Sequence, residues 1–285
     1  MSDRRKVLPQ YVMPKRGLTA FAGRVASRER GATTTRLVRW FVRKYGVDMS
    51  EAALSDIAAY RSFNDFFTRA LKEGVRPIAD ADLICPVDGT VSQFGRIEHD
   101  QILQAKGHRY STTALVGGDR ELAAGFHDGS FATLYLSPKD YHRIHMPCDG
   151  VLRRMIHVPG ALFSVNPTTA RGVPGLFARN ERVVCVFESP LGGSFVLTLV
   201  GATIVGSMAT VWHGAVRLPR VRRVREWHYA EGAVALKKGD EMGRFMLGST
   251  VVLLFPQGEL GFNPAWQPGA PVRLGEPMAD LGSAR

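Results

Sequence analysis

Apolar residues recur at helical spacing between residues 14 and 46. Leu18, Phe21, Ala22 and Val25 follow an i, i+3, i+4, i+7 pattern. Leu37, Val38, Trp40, Phe41 and Tyr45 form a second stripe, interleaved with Arg36, Arg39, Arg43 and Lys44. Gly31-Ala32-Thr33-Thr34-Thr35 separates the two, and a threonine there suits the cap of the second helix. A third helix is predicted over residues 49–60, where Ser50 precedes Glu51. Ser62-Phe63-Asn64-Asp65-Phe66-Phe67-Thr68-Arg69 then crowds aromatic side chains together.

From about Ala81 the period changes. Short β-branched runs at residues 89–94, 130–136, 151–158, 182–188, 194–212 and 250–255 are separated by glycine, proline and aspartate. Lys237-Lys238-Gly239-Asp240-Glu241 reads as a hairpin turn between Val234-Ala235-Leu236 and residues 242–246. No repeat or low-complexity tract interrupts the pattern. The expected fold class is α+β: N-terminal amphipathic helices, residues 1–70, on a β-rich sandwich or barrel-like body, residues 71–285.

The longest stretch without Lys, Arg, Asp or Glu, residues 189–216, tests as a membrane span by length. Glycines punctuate it, and Phe195, Leu197 and Leu199 alternate with Val196, Thr198 and Val200, so buried strands are predicted instead. Met1-Ser2-Asp3-Arg4-Arg5-Lys6 has no apolar segment after it, and no secretory signal is expected. Cys85, Cys148 and Cys185 are an odd, widely spaced set that does not read as a disulfide framework, which favours a reducing compartment.

Charge changes the picture once it is located. The chain carries a net +11, and residues 1–44 hold twelve Lys+Arg against two Asp+Glu, so the body is close to neutral. A basic arm on a neutral body matches an anionic surface. An amphipathic arm with aromatics suits a lipid bilayer, although packing on the body with solvated charges explains the same pattern. Arg217, Arg220, Arg222, Arg223 and Arg225 form a second basic cluster, but no recognition motif accompanies it and no nucleic-acid partner is expected.

The candidate chemistry lies late in the chain. Leu247-Gly248-Ser249-Thr250 sits between Phe245-Met246 and the apolar run Val251-Val252-Leu253-Leu254-Phe255. A Gly-Ser bond between strand-like segments is a candidate for self-cleavage, although Gly-Ser-Thr is also ordinary turn chemistry. Tyr141-His142-Arg143-Ile144-His145-Met146-Pro147 and Pro86-Val87-Asp88-Gly89-Thr90 supply histidine and aspartate, the other two parts that make a serine nucleophilic. His142, His145 and Cys148 at three-residue spacing also admit a metal cluster, but no second ligand pair follows and none is expected. Structural histidines and a turn aspartate remain open on these residues alone.

Six segments in register then resemble one family. Pro86-Val87-Asp88-Gly89-Thr90, Tyr135-Leu136-Ser137-Pro138-Lys139-Asp140-Tyr141-His142-Arg143-Ile144-His145-Met146-Pro147, Leu162-Phe163-Ser164-Val165-Asn166-Pro167, Phe177-Ala178-Arg179-Asn180-Glu181-Arg182, Val200-Gly201-Ala202 and Gly243-Arg244-Phe245-Met246-Leu247-Gly248-Ser249-Thr250 together resemble bacterial membrane-associated phosphatidylserine decarboxylase. The resemblance runs from about Phe63 to Phe255. It implies a precursor cut between Gly248 and Ser249 into chains 1–248 and 249–285 that stay associated. Ser249 would attack the Gly248 carbonyl, His145 would take its proton and Asp88 would orient the imidazole. The new chain end would be a pyruvoyl group that forms a Schiff base with phosphatidylserine, and His142 is the candidate acid that returns a proton after carbon dioxide leaves. The implied partners are phosphatidylserine and an anionic phospholipid membrane, met peripherally on its cytoplasmic side. Two alternatives stand beside this: a serine hydrolase using Ser249, His145 and Asp88, and a non-enzymatic membrane-binding module.

Overall fold

The computed structural model describes residues 3–203, 208–216, 223–246 and 249–282, apart from the side chains of Arg16 and Ser249. It is an α+β structure of N-terminal helices with antiparallel sheets forming the body. The largest sheet among the described residues has the order Arg225–His228, Gly150–Val158, Arg182–Glu188, Ser194–Val200, Ser249–Phe255, Ser130–Leu136, Gly89–Arg96 and Pro271–Val272. A four-stranded sheet carries Gly214–Val216, Met208–Thr210, Glu241–Phe245 and Arg143–His145.

The body is a sandwich because its middle strands are apolar on both sides. Val251, Val252, Leu253 and Leu254 are all fully buried, so the central run shows no alternation. Val251 and Leu253 join Leu134, Leu197 and Leu199 in the core beneath the smaller sheet. Val252 and Leu254 join Phe131, Val196 and Val200 in a second core on the opposite face. Gln101–Ala105 and His108–Ser111, a hairpin, belong to this second layer with short helices such as Pro167–Gly172. Asn180 ties that layer together: its side chain accepts from Phe163 N–H and donates to the Phe163 and Gly201 carbonyls.

Several expectations are corrected. No α-helix forms over residues 49–60, where only Ile57–Ala59 makes a 3₁₀ turn. The Asp48 carboxylate takes the Ser50 amide and hydroxyl, and Glu51 and Ala53 bond to Lys72 and Ala70, so local and cross-chain partners outcompete the helix. No threonine side chain caps the helix Ala32–Tyr45; Gly31 at φ +50° starts it instead. The 237–240 turn exists, closed by Asp240 N–H to Lys237 O, but it is not a hairpin. Ala235–Leu236 pairs with Gly150–Val158, and Glu241–Phe245 pairs within the smaller sheet, so the turn crosses between layers. Residues 204–207 of the predicted 194–212 strand, and Arg217, Arg220 and Arg222 of the basic cluster, lie outside the described residues.

The helix Ala32–Tyr45 has two faces. Val38 and Phe41 are buried against Tyr60, Phe63, Phe66 and Phe67, an aromatic cluster with Phe41–Phe63 ring centroids 5.0 Å apart. Trp40, by contrast, is 51% exposed, and Phe21 on the preceding helix Lys15–Ala26 is 65% exposed. Phe41, Phe66 and Phe67 are therefore core rings. Asp3–Val7 and Pro9–Val12 are further helices, pinned to the body by Asp3 with Lys106 and Arg171, and by Gln10 with Thr169 and Ser164.

One close approach fixes the strand that follows Asp88. A Cβ on Gly89 would stand 2.4 Å from the Tyr135 carbonyl oxygen, backbone that has nowhere to move in a paired sheet. Gly89→Ala should therefore lower stability by roughly 1–3 kcal/mol. Denaturant unfolding checks this, and an unchanged midpoint would overturn it.

Candidate active site

The register of the central sheet positions residue 249. Ser249 begins the Ser249–Phe255 strand directly opposite Leu136, and Thr250 stands opposite both Tyr135 and Val200. Leu136 ends its own strand, and residues 137–142 form the loop that follows. The loop is folded on itself: the Asp140 carboxylate accepts from Ser137 N–H at 2.6 Å, and Asp140 N–H donates to Ser137 O. Burial raises the Asp140 carboxyl above the usual carboxylate range. From the other side, Phe245 N–H donates to the His142 carbonyl at 3.0 Å. The loop is thus held next to both flanks of the Gly248-Ser249 bond. Leu247 and Gly248 themselves lie outside the described residues.

His142 is fully buried, and its Nδ1 donates to the Asp140 carbonyl at 2.8 Å. A carbonyl only accepts, so the proton is on Nδ1 and Nε2 carries a lone pair. That Nε2 has no hydrogen-bond partner among the described residues. The Phe67 ring lies 4.0 Å from the imidazole, centroid to centroid. Burial lowers the His142 pKa to about 3.

His145 is held differently. Its Nδ1 donates to the Gly239 carbonyl at 2.7 Å, and its Nε2 accepts from the Tyr141 hydroxyl at 3.0 Å. Burial lowers its pKa, and the Glu241 and Asp88 charges oppose that. Tyr141 is itself buried, its hydroxyl pKa pushed up to about 12.

Asp88 does not bond to His145 among the described residues. Arg76 holds it through Nη2 at 2.6 Å and Nε at 3.0 Å, and Leu274 N–H donates to it at 2.9 Å. Arg76 Nη2 also bonds Glu51, which in turn pairs with Arg273. The hydrogen bond by which Asp88 was expected to orient the imidazole is made by the Gly239 carbonyl among the described residues, and Asp88 is held by Arg76 instead. The physical reason is competition: a guanidinium offers a paired donor fork that one imidazole N–H cannot match.

The structure therefore brings His142, His145 and the strand carrying Ser249 to one region, with Asp88 close enough to act by charge. Sequence reasoning gave no role to Arg76, Tyr141, Arg69 or the Gly239 carbonyl. Arg69 and Arg76 carried a signal, as isolated cations between aromatic and apolar segments; a backbone carbonyl carries none. The three cysteines are free and buried, where burial raises their thiol pKa values.

Comparison with known proteins gives a consistent picture. The family model described as phosphatidylserine decarboxylase matches residues 63–280, and one described as PSD matches residues 5–46. The chain is 75% identical over 283 residues to the phosphatidylserine decarboxylase proenzyme of Polaromonas sp. (strain JS666), covering 98% of this chain and 99% of that one. It is 74% identical to the proenzyme of the same description from Variovorax paradoxus (strain S110), covering 99% and 100%. The corresponding protein of Dechloromonas aromatica (strain RCB) is 70% identical, covering 98% of each.

The two depressed histidines make stability depend on pH with a definite sign. The unfolded chain protonates them near their ordinary value of about 6.5, while the folded chain resists. Their stabilisation is complete above that pH and is lost as pH falls towards the folded values, about 3 for His142. Moving from pH 7.5 to 5.0 should cost about 2 kcal/mol through His142 alone. His142→Gln should recover most of that loss in denaturant unfolding; an equal pH slope in both proteins would contradict it.

Proposed function

The chain belongs to the phosphatidylserine decarboxylase family, and we propose how its own residues cut the precursor and serve the reaction. Its activity is the conversion of phosphatidylserine to phosphatidylethanolamine and carbon dioxide, with a pyruvoyl group made from its own chain. The serine-hydrolase and non-enzymatic alternatives give way to that family membership.

The cut falls between Gly248 and Ser249. Ser249 Oγ attacks the Gly248 carbonyl carbon, the peptide C–N bond breaks and an ester forms. Elimination then releases the Gly248 carboxylate and leaves a dehydroalanine, and water converts that to the ketone with loss of ammonia. His145 suits the first proton transfer, because it is neutral and its Nε2 lone pair already accepts from Tyr141. The Gly239 carbonyl orients the ring, and Asp88 steadies the positive charge that develops. The single observation carrying this reading is the register that sets Ser249 opposite Leu136 while Phe245 bonds to His142.

The surroundings fit a ketone at position 249. The strand is paired on both sides from Thr250 onward, so a new chain end there stays anchored after the cut. The pyruvoyl carbonyl supplies the electron sink that accepts the pair released when carbon dioxide leaves. His142 manages protons: its bare, buried Nε2 takes one from the substrate ammonium and later returns it to the α-carbon. The arriving anionic headgroup raises the proton affinity of an imidazole that burial alone depresses.

The N-terminal helices meet the bilayer. Arg36, Arg39, Trp40, Arg43 and Lys44 line an open depression of ≈ 390 Å³ on the face of Ala32–Tyr45 that points away from the aromatic core. Phe21, Leu8 and Val12 add exposed apolar side chains nearby in sequence. Among the described residues no helix is long and apolar enough to cross a membrane, and a peripheral site on the cytoplasmic face suits this surface.

Three outcomes test this. Purified protein should run as two pieces on a denaturing gel and Ser249→Ala as one; a permanently uncut wild type would defeat the proposal. Borohydride with phosphatidylserine should trap an adduct on the short piece in wild type, while His142→Gln should still cut but decarboxylate about 10²–10⁴-fold more slowly. Trp40→Ala combined with Phe21→Ala should lower sedimentation with phosphatidylserine-containing vesicles severalfold, without changing the cut.

A further inference from the structure

Arg69 is a buried cation without a counter-ion in contact. It is 5% exposed, its Nη2 donates to the Lys139 carbonyl at 3.2 Å, and its Nε and Nη1 have no partner among the described residues. The molecule shows what a structural buried arginine looks like elsewhere. Arg182 donates to the carbonyls of Ala114, Leu115, Ala178 and Asn180, from all three of its nitrogens. Arg69 instead rests on the Phe66 ring, its guanidinium carbon 5.5 Å from the centroid, with two of its nitrogens left bare. Leaving a charged donor unpaired in a dry site is expensive, and burial does lower the Arg69 pKa.

The bare nitrogens have company. Lys139, the residue Arg69 touches, lies in the loop between Leu136 and His142. On that same loop, Ser137 Oγ and His142 Nε2 are also buried without partners among the described residues. Unsatisfied polar groups of this kind call for an explanation, and a ligand is one. Guanidinium donors, a hydroxyl and an imidazole lone pair on or against one loop, next to the strand that begins at residue 249, suit an anionic, hydrogen-bonding headgroup.

We propose that Arg69 binds the phosphodiester of the lipid headgroup, a free guanidinium N–H donating to a phosphate oxygen. This rests on the reading that the loop lines the active site with Ser249. The headgroup has two anions, and the chemistry selects between them. A guanidinium on the carboxylate would hold the electron pair that must leave it, stabilising the ground state against the transition state. The phosphate is unchanged by the reaction, so a cation on it anchors substrate and product alike. Such uniform binding sets KM and leaves kcat nearly untouched.

The test uses mature, self-cut enzyme and monomeric dihexanoyl lipids. Arg69→Gln should raise KM for dihexanoylphosphatidylserine about 10- to 100-fold with kcat changed little, and Arg69→Lys should fall between. Calorimetric binding of dihexanoylphosphatidylethanolamine, which involves no turnover, should weaken by a similar factor. Its uncharged phosphate-methylated triester should bind wild type as weakly as it binds Arg69→Gln. A rise in kcat alongside KM would place Arg69 on the carboxylate instead, a kcat loss at constant KM would put it in the chemical step, and equal weakening of diester and triester would make its role structural; each overturns the proposal. Should Arg69→Gln fail to cut, wild type alone decides, because equal affinity for diester and triester would exclude a cationic phosphate contact. Failure of the wild type to cut would refute the active-site reading itself, which keeps the two ideas separable.

Discussion

The register of one strand, Ser249–Phe255, between Ser130–Leu136 and Ser194–Val200, is the constraint on which the site depends. Its side chains are buried on both faces, so a slip by one residue would exchange two different cores at once. That specificity places Ser249 where the partner strand ends and the 137–142 loop begins. The segment after this strand is held by further partners: Pro271–Val272 pairs with Gly89–Arg96, Pro277–Leu281 pairs with Leu83–Ile84, and Leu274 N–H donates to Asp88.

Around that strand, burial controls charge. His142 and His145 are kept neutral by their apolar surroundings, and each has its tautomer set by a backbone carbonyl. The carboxylates are treated in the opposite way. Asp88 and Glu51 share Arg76, and Arg273 completes the chain of ion pairs. Holding Asp88 on Arg76 fixes it in place and leaves the His145 imidazole without a direct carboxylate bond among the described residues.

The N-terminal helices are continuous with this chemistry through packing. Phe41 of the helix Ala32–Tyr45 meets Phe63, Phe66 and Phe67, and Phe67 lies on His142. The cationic, aromatic face of the same helix is turned outward. One aromatic cluster thus links the helix that bears this outward face to the loop that carries His142.

The hydrophobic pattern by itself determined the helical arm and the strands of the sheet, since burial periodicity is a local property. Phe66 and Phe67 were visible as aromatics, and Ser249, His145, His142 and Asp88 by residue type and motif. What only the tertiary structure decided were the pairings. The 49–60 segment abandoned its helix because Ala70 and Lys72 offered partners from outside it. The strands flanking residues 237–240 went to different layers, Asp88 chose Arg76 over His145, and Gly239 gave a carbonyl to the imidazole. Each of these is a competition between donors and acceptors distant along the chain. Its winner is set by which groups the folded core brings within hydrogen-bond reach, a quantity that no local stretch of sequence contains.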